Sequence, residues 1–187
     1  MVSADVIAKL KEAAGAKGFS EDPAEIAPHL EEWRGRYHGR SQLLLKPATT
    51  AEVSAILTIC HASDTPVVPQ GGNTGLAGGQ IPFAGEVLLS LERMRAIRSV
   101  DAQGMHMIAE AGVPLAAAQT AARAADRYFP LSLASEGSCT IGGNLSTNAG
   151  GVNVLRYGNM RELTLGLEVV LADGKVLDML RTLHKDK

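Results

Sequence analysis

The sequence predicts an α+β fold in two parts: a small parallel βαβ sheet with helices, followed by a larger, mainly antiparallel sheet with helices. Three observations carry this reading. From Ser41, SQLLLK, an apolar-striped stretch to Ala62 and TPVVP read as strand, helix and strand, a connection long enough to join parallel strands. AIRSVD and MHMIAEAG flank Ala102-Gln103-Gly104 and read as a hairpin. LTLGLEVVLADGKVLDM alternates around Asp173-Gly174, a two-residue hairpin signal.

The elements follow in order. Residues 3–14 form an amphipathic helix: Ser3 is its N-cap, Val6, Ile7 and Leu10 share a face, and Gly15 stops it. Asp22-Pro23 with Glu25 has the spacing of a capping box with proline at the first helical position. Pro28 keeps that second helix short, and Trp33 reads as a packing residue. Residues 1–36 are therefore expected to form a helical arm, and residues 37–187 the main domain. Pro47 ends the first strand and Thr50 caps the next helix. There Val53, Ile56, Leu57 and Cys60 fall at i, i+3, i+4 and i+7, which places the Cys60 thiol on the buried stripe. EVLLSL is a third strand, and Val113-Pro114 opens an alanine-rich helix to about Asp126. His106 has no partner at metal-ligand spacing and reads as structural or solvent-facing.

The chain has 187 residues, a length for one domain or two small subdomains, and needs no disulfide to bury a core. Its two cysteines, Cys60 and Cys139, fit no metal or redox spacing and indicate a reducing compartment. A net charge of -2 gives no indication of a nucleic-acid partner. No apolar run approaches the roughly 20 residues that span a bilayer. The N-terminus mixes acid and base among its apolar residues, unlike a secretory signal, so the expected location is cytoplasmic.

Two glycine-rich stretches organise the chain. PQGGNTGLAGGQ runs from Pro69 to Gln80, and PLSLASEGSCTIGGNLSTNAGG from Pro130 to Gly151. They are nearly free of charge, with only Glu136 between them. Glycine lets the main chain approach a ligand, and successive N–H groups then form a concave anion nest. Flexible linkers share this composition, but Leu76, Ile81, Ile141 and Leu145 stand where a linker would be polar. Neither stretch is a P-loop, since no Gly-Lys-Ser/Thr occurs. Nor is either the Rossmann fingerprint, since no two glycines lie two residues apart.

The pattern resembles flavoproteins of the vanillyl-alcohol oxidase and p-cresol methylhydroxylase type. Within them, VVPQGGNTGLAGGQ with SLASEGSCTIGGNLSTNAGGVNVLRYGN is similar to the FAD-linked D-2-hydroxy acid dehydrogenases, which act on D-2-hydroxyglutarate, D-lactate or glycolate. The resemblance runs from about Gly39 to Asp178. It implies FAD between two subdomains, with the diphosphate on Pro69, Gln70, Gly71, Gly72, Asn73, Thr74, Gly75, Leu76, Gly78 and Gly79. Asn73 and Thr74 would add side-chain donors to the backbone ones. Pro130, Ser138, Cys139, Thr140, Gly142, Gly143, Asn144, Asn148, Gly150 and Gly151 would line the cofactor, with free N–H groups where Thr140 and Ile141 open a short helical turn. Tyr157, Val169 and Val170 are further matches, the valines at a strand that meets the adenine in relatives.

FAD is expected to be non-covalent, because family members with a flavin-linked His carry it where this chain has Asn73. The resemblance also implies a small 2-hydroxy acid substrate met by a C-terminal domain that lies beyond Lys187. It names no catalytic residue and no metal ligand here, does not identify the electron acceptor, and leaves a homodimer open. The alternative is a non-catalytic FAD- or nucleotide-binding module, or one subunit of a split flavoenzyme.

Overall fold

The structure, a computed structural model, describes residues 2–180. The chain divides into two compact units, one running to Arg93 with Val169–Leu177 added, the other Met94–Glu168 with Asp178 onward.

In the first unit α1 spans Ala4–Ala14, capped by the Ser3 side chain, which accepts the Val6 N–H, and ended at Gly15. Leu10 and Ala14 are its buried residues. After β1 (Phe19–Ser20) comes α2 (Pro23–Ile26), where the Asp22 carboxylate caps the Ala24 N–H. The reciprocal half of the expected capping box is not made: the Asp22 N–H goes to Ser20 Oγ, and Glu25 pairs with Lys46 at 3.4 Å. A single 3₁₀ turn, Ala27–His29, follows.

β2 is only Leu44–Leu45, α3 is Thr50–Ala62, β3 is Val67–Gln70 and β4 is Val87–Ser90. The cap of α3 is Thr49 rather than Thr50, its side chain accepting the Glu52 N–H, while Glu52 reaches back to the Ala48 N–H. Val53, Ile56 and Cys60 are its buried residues. The sheet order is β1-β2-β4-β3, with β4 parallel to both neighbours and β1 antiparallel at the edge. The crossover through α3 therefore leaves a gap that β4 fills, and β4 is buried at all four positions. Leu43, Leu44, Leu45 and Leu88 are at most 1% exposed. Full burial of one such side chain is worth about 1.5–3 kcal/mol.

The second unit begins with the hairpin β5 (Ile97–Asp101) and β6 (His106–Ala109). Asp101 Oδ1 closes its turn by accepting the N–H groups of Gln103 and Gly104. α4 is Leu115–Ala124, α5 is Ile141–Ser146 and α6 is Val154–Tyr157. Their core gathers Val113, Leu115, Ala118, Leu131, Cys139, Ile141 and Met160. β7 (Leu167–Val170) pairs with β8 (Val176–Met179), and the tip of that hairpin, Val169–Leu177, is counted with the first unit.

Among the described residues, the antiparallel part consists of two separate two-stranded pairs. The second hairpin also differs from a two-residue loop. Leu171 N–H bonds to Lys175 O at 2.8 Å, Gly174 N–H bonds to Leu171 O at 2.9 Å, and Gly174 has φ 86°. That is a type I turn followed by a left-handed glycine, the three-residue solution. The turn rests on α3, where Ser54 Oγ donates to Gly174 O at 2.6 Å.

Candidate cofactor site

The first glycine loop starts at the C-terminal end of β3, the edge of parallel strands where open α/β sheets bind ligands, and the chain then crosses to the opposite edge to enter β4. Among the described residues, none of the backbone N–H groups from Gly71 to Gln80 has a hydrogen-bond partner in the chain. Several of its carbonyls do: Gly75 O accepts Gln80 Nε2 at 2.7 Å, Gly78 O the Ile81 N–H at 3.0 Å, and Gln80 O accepts Gln70 Nε2 at 3.0 Å. With several acceptors occupied and the donors left over, the loop is electropositive without a basic side chain.

The polar side chains of this loop hold it in place. Gln70 is 1% exposed; its amide donates to His29 O, and its Oε1 lies 2.6 Å from His29 Nδ1. Asn73 takes a left-handed φ of 52°, and its Nδ2 donates to Glu31 O at 2.8 Å and Pro28 O at 3.3 Å. Both amide protons are thereby used, so Asn73 shapes the loop instead of supplying the extra side-chain donor expected of it. Gln80 Nε2 donates to Asn73 Oδ1 at 3.1 Å. Sequence reasoning missed His29, Glu31, Glu32 and Gln80, whose contacts with the loop or with its supports nothing in residue type or spacing announces.

Glu32, 2% exposed, ties the arm together: its carboxylate accepts the N–H groups of Arg34 at 2.6 Å and Arg36 at 2.7 Å. Burial alone would push this carboxyl up, but N–H bonds from Arg34, Arg36 and Tyr37 and the Arg34 charge hold it below the ordinary glutamate value. The Tyr37 ring packs against Gly78, where a Cβ would come within 2.8 Å of it.

In the second stretch, α5 does not offer a free N-terminus. The Ile141 N–H bonds to Val113 O and the Gly142 N–H to Ala111 O, at 2.9 and 2.8 Å. The expected free donors of this turn are thus largely spent on packing the helix against the preceding segment. Cys139 and Asn144 are buried together, with Asn144 Nδ2 3.6 Å from Cys139 Sγ. Asn148 Oδ1 accepts the Arg161 N–H, and Pro130 O accepts Asn153 Nδ2. Ser138 is exposed. Tyr157 meets Tyr128 edge to face at 6.0 Å, while Val169 and Val170 are the half-buried end of β7.

The glycines separate into two groups. A side chain at Gly142 would collide with Ala111, at Gly150 with Asn159 and Val154, and at Gly151 with the Ser132 carbonyl. These three are glycine because the fold needs them so. By contrast a Cβ at Gly79 or Gly137 would meet no atom within 4 Å, and at Gly143 only Thr140 Oγ1 at 3.4 Å. Thr140 Oγ1 is buried without a hydrogen-bond partner. Within the first unit, the unpaired N–H groups from Gly71 to Gln80 suit the diphosphate of a dinucleotide cofactor.

Parallel strands feeding an uncharged run of N–H donors are the arrangement of a nucleotide-cofactor domain. The chain belongs to the FAD binding domain family, whose model matches residues 41–180. It is 46% identical over 186 residues to a rice (Oryza sativa subsp. indica) protein named "Probable D-2-hydroxyglutarate dehydrogenase, mitochondrial", which covers 100% of this chain and 33% of the relative. It is 44% identical over 187 residues to the mitochondrial D-2-hydroxyglutarate dehydrogenase of Bos taurus, covering 100% of this chain and 34% of that one. The chain thus spans about a third of the length of these curated relatives. Among solved structures, an alkyldihydroxyacetonephosphate synthase superposes with TM-score 0.87 at 18% identity, over 97% of this chain and 36% of that one. A 4-ethylphenol oxidase from Gulosibacter chungangensis superposes with TM-score 0.77 at 25% identity, over 94% and 35%.

The cytoplasmic expectation is corrected by these relatives, both named as mitochondrial. Two buried free cysteines fit any reducing compartment, and they do not separate the cytoplasm from the mitochondrion. Among the described residues no helix is long and apolar enough to cross a membrane.

Proposed function

We propose that this chain is the FAD-binding portion of a flavin-dependent oxidoreductase that oxidises a D-2-hydroxy acid of the D-2-hydroxyglutarate, D-lactate or glycolate type. The observation that carries this reading is the run of unpaired N–H groups from Gly71 to Gln80 at the ends of parallel strands. In this reading those groups neutralise the FAD diphosphate, and the open volume over Gly79 is left for the cofactor. The resemblance to FAD-binding relatives assigns Gly143, whose added Cβ would meet only Thr140 Oγ1, to the cofactor as well. The flavin, when bound, accepts the hydride, and this chain's residues bind and orient it. The base for the hydroxyl proton and the cation for the carboxylate are assigned to residues outside this chain, since the named dehydrogenases are about three times as long.

FAD is held non-covalently in this reading. Asn73 stands where related flavoproteins with a linked flavin carry the attached His, and an amide forms no such bond. The family match begins at residue 41, which favours a helical arm over residues 1–36 and a binding domain from residue 37.

Titration of the purified chain with FAD, read by quenching of flavin fluorescence, tests the binding. Acid precipitation should release all flavin to the supernatant, and pigment in the pellet would contradict non-covalent attachment. Dye reduction with D-2-hydroxyglutarate, D-lactate or glycolate should be undetectable for residues 1–187 alone, because orientation of the substrate is worth about 7–11 kcal/mol of a barrier. Turnover near one per second would place the catalytic groups inside this chain. Absence of any FAD binding would remove the reading itself.

A further inference from the structure

We propose that the arm segment from Pro28 to Tyr37 is a brace that holds the first glycine loop in its anion-receptive form, with Glu32 as the positioning residue. This rests on the FAD reading of that loop and adds to it a part of the chain that lies before the matched family span of residues 41–180.

The loop's anchors converge on that segment. Asn73 hangs from the carbonyls of Glu31 and Pro28, Gln70 is clasped by His29 at both ends of its amide, and Gly78 lies on the Tyr37 ring. Gln80 is the internal strut, linking Asn73 to Gly75. The segment would itself be loose without a centre. The buried Glu32 carboxylate supplies one by accepting the Arg34 and Arg36 N–H groups, while the Glu31↔His38 bridge closes the turn. A loop with this many glycines and no backbone N–H partner has much conformational freedom to lose on binding. Ordering it in advance raises the fraction of chains competent to bind, and apparent affinity scales with that fraction.

The test uses the chain without and with ligand. Glu32→Gln leaves one carbonyl oxygen where two accepted N–H bonds, and Gln80→Ala removes the strut. Trp33→Ala, on the same turn but 83% exposed, is the control. Without ligand, 15N relaxation should give Gly71–Gly79 rigid order parameters, near about 0.85, in the unaltered chain and in Trp33→Ala. In Glu32→Gln and Gln80→Ala they should fall below about 0.6, with the far-UV circular dichroism unchanged. FAD and ADP, both of which carry a diphosphate, should each bind at least tenfold more weakly to these two variants and normally to the control. Unchanged loop order in Glu32→Gln would overturn the proposal. So would a loss of FAD affinity that leaves ADP affinity intact, because the arm would then act away from the diphosphate. Should Glu32→Gln fail to fold, Asn73→Ala, which cuts the loop from the Pro28 and Glu31 carbonyls, decides by the same measurements. If the unaltered chain binds no FAD, the cofactor reading fails, while the relaxation data still judge the brace.

Discussion

Gly143→Ala should stabilise the ligand-free chain and weaken FAD binding at the same time. Gly143 is the third residue of α5, it has no positive φ, and an added Cβ meets only Thr140 Oγ1 at an ordinary 3.4 Å. Nothing in the chain resists the methyl group, so the usual helix gain of alanine over glycine applies, about 0.5–1 kcal/mol. For a chain of this size that is a rise in melting temperature of about 1–4 °C. In the proposed reading FAD needs the same volume, and inserting a methyl group into a packed contact costs about 1–3 kcal/mol. The dissociation constant should rise about tenfold, 1.4 kcal/mol being roughly a factor of ten. Thermal melts without FAD and fluorescence titration with it give the two signs separately. A higher melting temperature with FAD affinity within twofold of the parent would refute the assignment of this space to the cofactor. A lower melting temperature would refute the packing around α5.

Gly151→Ala should behave oppositely and destabilise the ligand-free chain by about 1–3 kcal/mol or more, since its φ is 76° and its Cβ would collide with the Ser132 carbonyl; a melt without ligand reads this directly. Cys60 is buried and desolvation pushes its thiol up to about 11, so iodoacetamide at pH 8 should leave it unmodified in the folded chain and alkylate it in urea. The Glu32 carboxyl lies below its ordinary value, so its contribution to stability is complete above about pH 4.3 and lost as pH falls through the depressed folded value. Melts between pH 3 and 6 should therefore show a steeper acid loss for the parent than for Glu32→Gln, and parallel curves would contradict the carboxylate's role.

Much of this protein is legible in local sequence, because local chemistry is short-range. Ser3, Asp22 and Gly15 mark helix ends through bonds to neighbours two or three residues away, and they do so in the structure. The apolar stripe through Val53, Ile56 and Cys60 is a consequence of helical periodicity alone. The two glycine stretches, through their long motifs, identify the FAD-binding family. Tertiary structure decided what depends on distant pairing. The insertion of β4 between β2 and β3 joins strands separated in the chain, and no periodicity encodes that order. Which glycines serve the fold and which leave space depends on Ala111, Asn159 and Ser132, side chains and carbonyls brought in from elsewhere. The arm's hold on the first loop spans 41 to 45 residues in hydrogen bonds from Gln70 and Asn73. An amide side chain looks the same in sequence whether it faces a phosphate or a backbone carbonyl; only folding sets which one it meets.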